Sequence, residues 1–246
     1  MEKNKKILVI GASGATGRLL VEQLLVNGQN VKAIVRSPKS SLEPLRKKNP
    51  KLSLIYASIS DLSNSEIAAH ASDCDAVASC LGHNLTFKGL FGHPRRLVTD
   101  ATRRLCNTIQ LANPESPIKF VLMNTTGNRN RDLIEPISFT QKCVIGLLRL
   151  LLPPHADNEE AADYLRTEIG QNNHLIDWVA VRPDGLVDNE SVSEYELYAS
   201  PIRSAIFDAG KTSRINVAHF MSHLITDETT WKKWSGQMPV IYNKAL

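Results

Sequence analysis

The chain has 246 residues, 42% hydrophobic, 22% charged and 6% aromatic, which suits one α/β domain with a full core and excludes disorder. Lys and Arg number 29 against 25 Asp and Glu, a surplus that suits a small anionic ligand and lacks the dense basic tract of a nucleic-acid surface. The four cysteines, Cys74, Cys80, Cys106 and Cys143, form no C-x-x-C pair and sit in apolar periodic segments, which points to a reducing compartment.

Lys3, Lys5 and Lys6 precede the first strand as a solvated fringe. Met1 to Lys6 shows neither the apolar run nor the cleavage site of a secretory signal, so a cytoplasmic protein is expected, with Asn84-Leu85-Thr86 a glycosylation triplet by chance. Ile7-Leu8-Val9-Ile10 reads as a strand, Gly11-Ala12-Ser13-Gly14-Ala15-Thr16-Gly17 as a tight turn, and Arg18 to Leu25 as a helix ending near Asn27-Gly28. A backbone comes close to a pyrophosphate, with its N–H groups turned inward, only where side chains are small, and glycine at 11, 14 and 17 meets that need. The spacing is G-x-x-G-x-x-G rather than G-x-G-x-x-G, so the strand-turn-helix context carries the nucleotide reading. The alternative is a glycine turn that only lets the helix pack on the sheet.

Val31 to Val35 is a second strand, and the loop Arg36-Ser37-Pro38-Lys39 at its end decides the cofactor. A carboxylate there holds the ribose 2′-hydroxyl of NAD, whereas an arginine accommodates the 2′-phosphate of NADP. Arg36 therefore points to NADP(H) over NAD(H), with Ser37 and Lys39 as further phosphate partners; the alternative is a surface loop arginine. Leu52 to Ala57 is a third strand, and Ser60-Asp61-Leu62 is expected to open a helix, with Asp61 as its N-cap, as a contact to the adenine edge, or as both. Asp75 to Leu81 is a fourth, buried strand ending at Gly82-His83, where Leu81 and Gly82 would pass close to the cofactor, and the loop Asn84 to Pro94 would cover it.

Arg95 to Ala112 has helical period through Leu97, Ala101, Leu105 and Ile109, and Ile118 to Met123 is a fifth strand whose end, Asn124-Thr125-Thr126-Gly127, carries hydroxyls near the expected nicotinamide position. Asn128 to Pro136 reads as a polar, mobile loop. Helices over Ser138 to Leu152 and Asp157 to Gly170 are joined at Pro153-Pro154-His155. The apolar run Val144 to Leu152 is too short, and too interrupted by Arg149, to span a bilayer; it reads as a buried helix, or as an interfacial or subunit-contact one. Ile176 to Val181 is a sixth strand leading into Arg182-Pro183-Asp184-Gly185. Leu186 to Lys211 has weak periodicity and forms part of a substrate-side lobe, Arg214 to Met221 starts the last helix, and Pro239 to Tyr242 is a closing strand.

These motifs together resemble the atypical short-chain dehydrogenase/reductase superfamily, in particular its NmrA-like and biliverdin-IXβ/flavin reductase branch. The resemblance rests on G-A-S-G-A-T-G, the Val35-Arg36 strand end, the Asp75-Ala76-Val77 strand with Leu81-Gly82, Thr125-Thr126, Trp178 to Pro183, and Ser213-Arg214-Ile215 before Val217 to Met221. It implies a single Rossmann-type, doubly wound, mainly parallel α/β domain over 1–246, with substrate-side elements about 128–160 and 184–212. The larger superfamily's catalytic Tyr-x-x-x-Lys is absent: no tyrosine has a lysine four residues on. The branch also has a histidine after the proline of the sixth strand, where this chain has Asp184-Gly185.

The resemblance implies an NADPH-dependent reductase that transfers hydride to an electron-poor planar acceptor of flavin, quinone or tetrapyrrole type. Thr126 matches a serine that lies near the nicotinamide in the flavin reductases, and Gly11, Ser13, Gly14, Ala15, Thr16, Gly17, Leu81, Gly82 and Thr125 would line the cofactor. His155, Asp157, Asn158 and Glu159 stand near the place of the missing tyrosine and lysine, and His155 is the candidate acid or orienting group. Asp157 reads chiefly as a helix N-cap, with Glu160 completing a capping box. A metal set of His155, Asp157 and Glu159, or of His219 and His223, is disfavoured, and no metal is expected. The alternative function is an NmrA-like NADP(H) sensor or scaffold with a protein partner and no turnover.

Overall fold

The computed structural model describes residues 4–83, 92, 94–135 and 137–244. Most of the expected covering loop, Asn84 to Pro94, lies outside them, as does Asn84-Leu85-Thr86. Ten strands are placed: β1 Lys6–Ile10, β2 Asn30–Val35, β3 Leu52–Tyr56, β4 Ala76–Ser79, β5 Ile118–Met123, β6 Ile176–Pro183, β7 Gly185–Val187, β8 Tyr195–Tyr198, β9 Lys211–Ser213 and β10 Val240–Asn243. Eight of them form one sheet in the order β3-β2-β1-β4-β5-β6-β10-β8, parallel except for β8. β7 and β9 pair separately, in parallel.

The central strands read as continuous apolar runs because both faces are covered. Ile7 and Val9 of β1 face one layer, while Leu8 and Ile10 face the other, the period-two alternation that a pleated strand dictates. On the first face lie α1 Ala15–Val26, α7 Arg214–Thr226 and α8 Glu228–Trp234, where Leu20 and Leu24 share a core with Phe220, Leu224 and Trp231. On the second lie α3 Asn64–Ala71, α4 Leu97–Ala112 and α6 Pro153–Tyr164, whose Ile67, Leu105, Ile109 and Ala161 pack on Phe120 and Trp178. α2 Glu43–Lys48 and α5 Phe139–Leu151 are the other α-helices among the described residues.

Several boundaries correct the sequence reading. Asp61 caps nothing: α3 begins later, with Ser63 as N-cap and a reciprocal capping box to Glu66. Asp157 is not a cap of its own helix either. Pro153 and Pro154 occupy the first turn of α6, where a missing N–H costs nothing, so Asp157 falls inside the helix and Glu160 pairs with Arg96. α6 ends in a π turn, Leu165–Ile169. The run around Val144 is not a buried helix: Phe139, Leu147 and Leu151 of α5 are exposed, and Ile145 alone is buried among the described side chains. The segment after Val187 contributes β8 to the main sheet, and the helix expected last is followed by α8.

The loop after β5 is pinned. Asn128, Asn130 and Glu135 are buried, and Glu135 accepts two bonds from the Arg182 guanidinium, at 2.7 and 3.1 Å, and one from the Asn130 N–H. Arg182 also donates to the carbonyls of Met238, Asn128 and Ala199, so a fully buried charge has its donors satisfied. No helix among the described residues is long and apolar enough to cross a membrane.

Candidate functional site

In an open parallel sheet, ligands bind beyond the carboxyl ends of the strands, where the strand order reverses. Here that point lies between β1 and β4, and a cleft of about 230 Å³ opens there. It is lined by Gly11, Ser13 and Gly14 after β1, Ile34 and Arg36 at β2, Ala57 to Ser60 after β3, and Cys80 to His83 after β4, with Gly92, Pro94 and Leu97.

Each glycine of the first turn has its own reason. Gly11 has φ +69°, and a Cβ there would lie 2.4 Å from the Cys80 carbonyl oxygen. A Cβ on Gly17 would lie 2.2 Å from the Gly11 carbonyl oxygen. The Gly14 N–H donates to the same carbonyl at 3.0 Å and closes the turn. Gly14 is the N-cap of α1, and no side chain caps the helix. The first-turn amides of α1 therefore lack a side-chain acceptor, and with the positive end of the helix dipole they suit an anion. Gly82 differs: among the described residues a Cβ there would meet nothing within 4 Å.

Arg36 is exposed at the end of β2, and among the described residues no carboxylate pairs with it and none lines the cleft. Ser58, Ile59 and Ser60 line the cleft after β3, whereas Asp61 does not. Burial pushes the Cys80 thiol up to about 12, so it serves as wall rather than nucleophile. A small-residue turn whose amides meet no side-chain acceptor, at the end of the first strand of a parallel sheet, fits the pyrophosphate of a nicotinamide dinucleotide.

A second cavity, of about 280 Å³, lies beyond the ends of β5 and β6. Thr126, Gly127, Arg129, Glu135, Gln141, Ile145 and the stretch Pro201 to Ala205 line it. Thr126 is buried, and its N–H donates to the Pro183 carbonyl. Thr125 turns back, its hydroxyl accepting the Gly127 N–H. His155 does not line the cavity: it stands behind Gly127, where a Cβ would come within 3.2 Å of its ring. Its Nε2 is buried without a partner, and burial holds its pKa below the usual imidazole range, Arg149 adding to that and Glu159 opposing it.

Asp157, two residues on, faces the other way. Its carboxylate accepts the N–H groups of Val98 (2.8 Å) and Thr99 (2.9 Å) at the start of α4, and His83 at 2.7 Å. The Thr99 hydroxyl donates to the Asp157 backbone carbonyl. α4 is thus capped by a carboxylate from another helix, while its own N-cap, Arg96, makes no side-chain cap. Burial works to raise this carboxyl's pKa, but the bonds from His83, Val98 and Thr99 outweigh it and hold the group below the usual aspartate value.

Of the residues expected at the cofactor, Gly11, Ser13, Gly14, Arg36, Leu81 and Gly82 line the cleft, whereas Ala15, Thr16, Gly17, Asp61 and Thr125 do not. The sequence carries no local signal for the Asp157–His83 contact or the Glu135–Arg182 pair, which join residues 74 and 47 positions apart. Tyr164 and Tyr195 are pushed by burial to about 12, the opposite of what a proton-shuttling tyrosine needs. Asp184 is structural, accepting the N–H groups of Gly185 and Gly210. His219 and His223 stack on α7, with His219 bound to the Tyr195 hydroxyl, and no group of three metal-binding residues occurs among the described residues.

The sequence profile of the NAD(P)H-binding family matches residues 11–228. No curated protein matches the chain. Among solved structures, a putative NAD-dependent epimerase/dehydratase from Bacillus halodurans is similar at 19% identity and TM-score 0.70, covering 98% of this chain and 94% of its own. A short-chain dehydrogenase/reductase from Veillonella parvula DSM 2008, in complex with NADP, is similar at 14% identity and TM-score 0.69, over 98% and 95%. An anaerobillin reductase from Escherichia coli O157:H7 is similar at 17% identity and TM-score 0.68, over 98% of both chains.

Proposed function

The chain belongs to the NAD(P)H-binding family, and from that premise we propose that it is an NADPH-dependent reductase passing hydride to a planar, electron-poor acceptor. The observation that carries the cofactor choice is Arg36, an unpaired guanidinium in a cleft lined by no carboxylate among the described residues. In this reading Gly11, Ser13, Gly14, Ala15, Thr16 and Gly17 hold the pyrophosphate, Arg36 takes the 2′-phosphate, and Leu81, Gly82 and Thr125 border the cofactor's far half. Bound NADPH supplies the hydride. The second cavity takes the acceptor, with Thr126 on its wall and His155 positioning the strand end from behind Gly127. Flavins, quinones and linear tetrapyrroles suit a site without the tyrosine–lysine pair, because their reduced forms take a proton from solvent or a weak donor. Fixing the two partners and excluding water would supply most of the rate.

The experiment is a parallel titration with NADPH and NADH, read by tryptophan quenching, for the wild type and Arg36→Glu. The substitution should weaken NADPH by about tenfold or more, the worth of a charge-assisted contact, and barely change NADH. Equal losses for both cofactors would remove the assignment. NADPH oxidation with FMN, a quinone and a linear tetrapyrrole then separates the reductase from a sensor that binds tightly and turns over none of them.

A further inference from the structure

We propose that His83, braced by Asp157, is a positioning residue for the nicotinamide half of the cofactor, and that α6 thereby joins the cofactor cleft to the acceptor cavity as one rigid piece. The inference rests on the nucleotide reading of the cleft and adds to it a residue outside the glycine turn.

Strand order sets which half of a dinucleotide His83 meets. Arg36 and Ser58 to Ser60 stand on the β2-β3 side of the reversal point and mark the adenosine half. His83 follows β4, on the side that continues to β5 and Thr126, and it lines the same cleft. At the neighbouring Gly82 a Cβ would meet no atom of the described residues within 4 Å, so the backbone beside His83 borders open space on the cleft.

The brace is buried and specific. The side chains of His83 and Asp157 are 5% and 0% exposed. Asp157 is held ionised by two amides of α4 as well as by the imidazole, so His83 Nε2 carries the proton and donates, which fixes both its tautomer and its ring orientation. A carboxylate that only capped α4 would need Val98 and Thr99 alone. Its third bond ties the turn after β4 to α6. Two residues earlier on α6, His155 abuts Gly127 at the acceptor cavity, and the Asn158 carbonyl accepts the Asn124 side-chain amide at the end of β5. The first turns of α6 thus fix the distance between the two halves of the site.

The test compares NADPH with adenosine 2′,5′-bisphosphate, which lacks the nicotinamide half, by titration of the wild type, His83→Ala, His83→Asn and Asp157→Asn, with Tm measured alongside. His83→Ala should weaken NADPH about tenfold while leaving the bisphosphate within about twofold, a split between the two ligands that a general loss of stability would not produce. His83→Asn, whose amide can donate to Asp157, should recover most of the loss. The double variant His83→Ala/Asp157→Asn should bind NADPH no more weakly than the worse single variant, since both break one contact. If Asp157→Asn does not fold, the two His83 variants carry the test. Wild-type NADPH affinity in His83→Ala, or equal losses for both ligands, overturns the proposal. A wild-type protein that binds the bisphosphate and NADPH but reduces no acceptor leaves it standing and removes the reductase reading. One that binds neither removes both.

Discussion

Arg182, near the end of β6, has its guanidinium wholly enclosed and matched by Glu135. Breaking a buried pair leaves an uncompensated charge, whereas the intact pair adds little net stability. Glu135→Gln should therefore cost about 3–5 kcal/mol in urea unfolding, and a loss under about 1 kcal/mol would show that water reaches the guanidinium. At this scale the sequence was legible where the backbone itself sets the residue. Gly11 and Gly17 are demanded by contacts within the first turn and with Cys80, and the pattern announces them. Glu135 sits in a polar run that reads as a solvated loop, because its partner lies 47 residues away.

α6 shows how a local pattern can point to the wrong end of an element. Asp157 followed by Glu160 has capping-box spacing, but two prolines upstream start the helix earlier and the aspartate caps a neighbour. Asp157 keeps a pKa below its unfolded value, so its stabilisation is complete above the ordinary aspartate range and is lost as the pH falls through the native value. At neutral pH, Asp157→Asn should lower stability by about 1–3 kcal/mol, since buried amides of α4 lose their acceptor. The gap to wild type should begin to narrow as the pH falls below the ordinary aspartate value of about 4, where the unfolded chain takes up the proton, and close as the pH passes through the lower native value. Thermal melts at pH 7 and pH 3 measure this, and a gap that stays constant would mean the carboxylate charge plays no part. β1 and β5 were legible nearly to the residue, because strands covered on both faces are largely apolar runs, and β2 and β3 from their shorter apolar stretches between turns. β8 was not, since Tyr195-Glu196-Leu197-Tyr198 is half exposed and owes its place to β10.

Across the whole molecule the sheet is closed late in the chain: β10 enters between β6 and β8, so β8 has no other neighbour in the main sheet. A chain cut after Gly236 should leave the edge of β6 unpaired and β8 detached, and open apolar edges aggregate. Its soluble fraction on expression should fall sharply against the full chain, and soluble, cofactor-binding protein would show that β10 is dispensable. The doubly wound class was legible from the sequence, since alternating strands and helices after a glycine turn permit little else. The insertion of β10 was not, because its partners are set by tertiary pairing alone. That insertion also sets a timetable during synthesis. Chains fold from the N-terminus as they emerge, so β1 to β5 and the glycine turn leave the ribosome well before β10 does. The nascent chain can fold the half of the sheet that carries the glycine turn while the other half still waits for the strand that joins β6 to β8, so a ligand held at that turn would serve as an early scaffold for the rest.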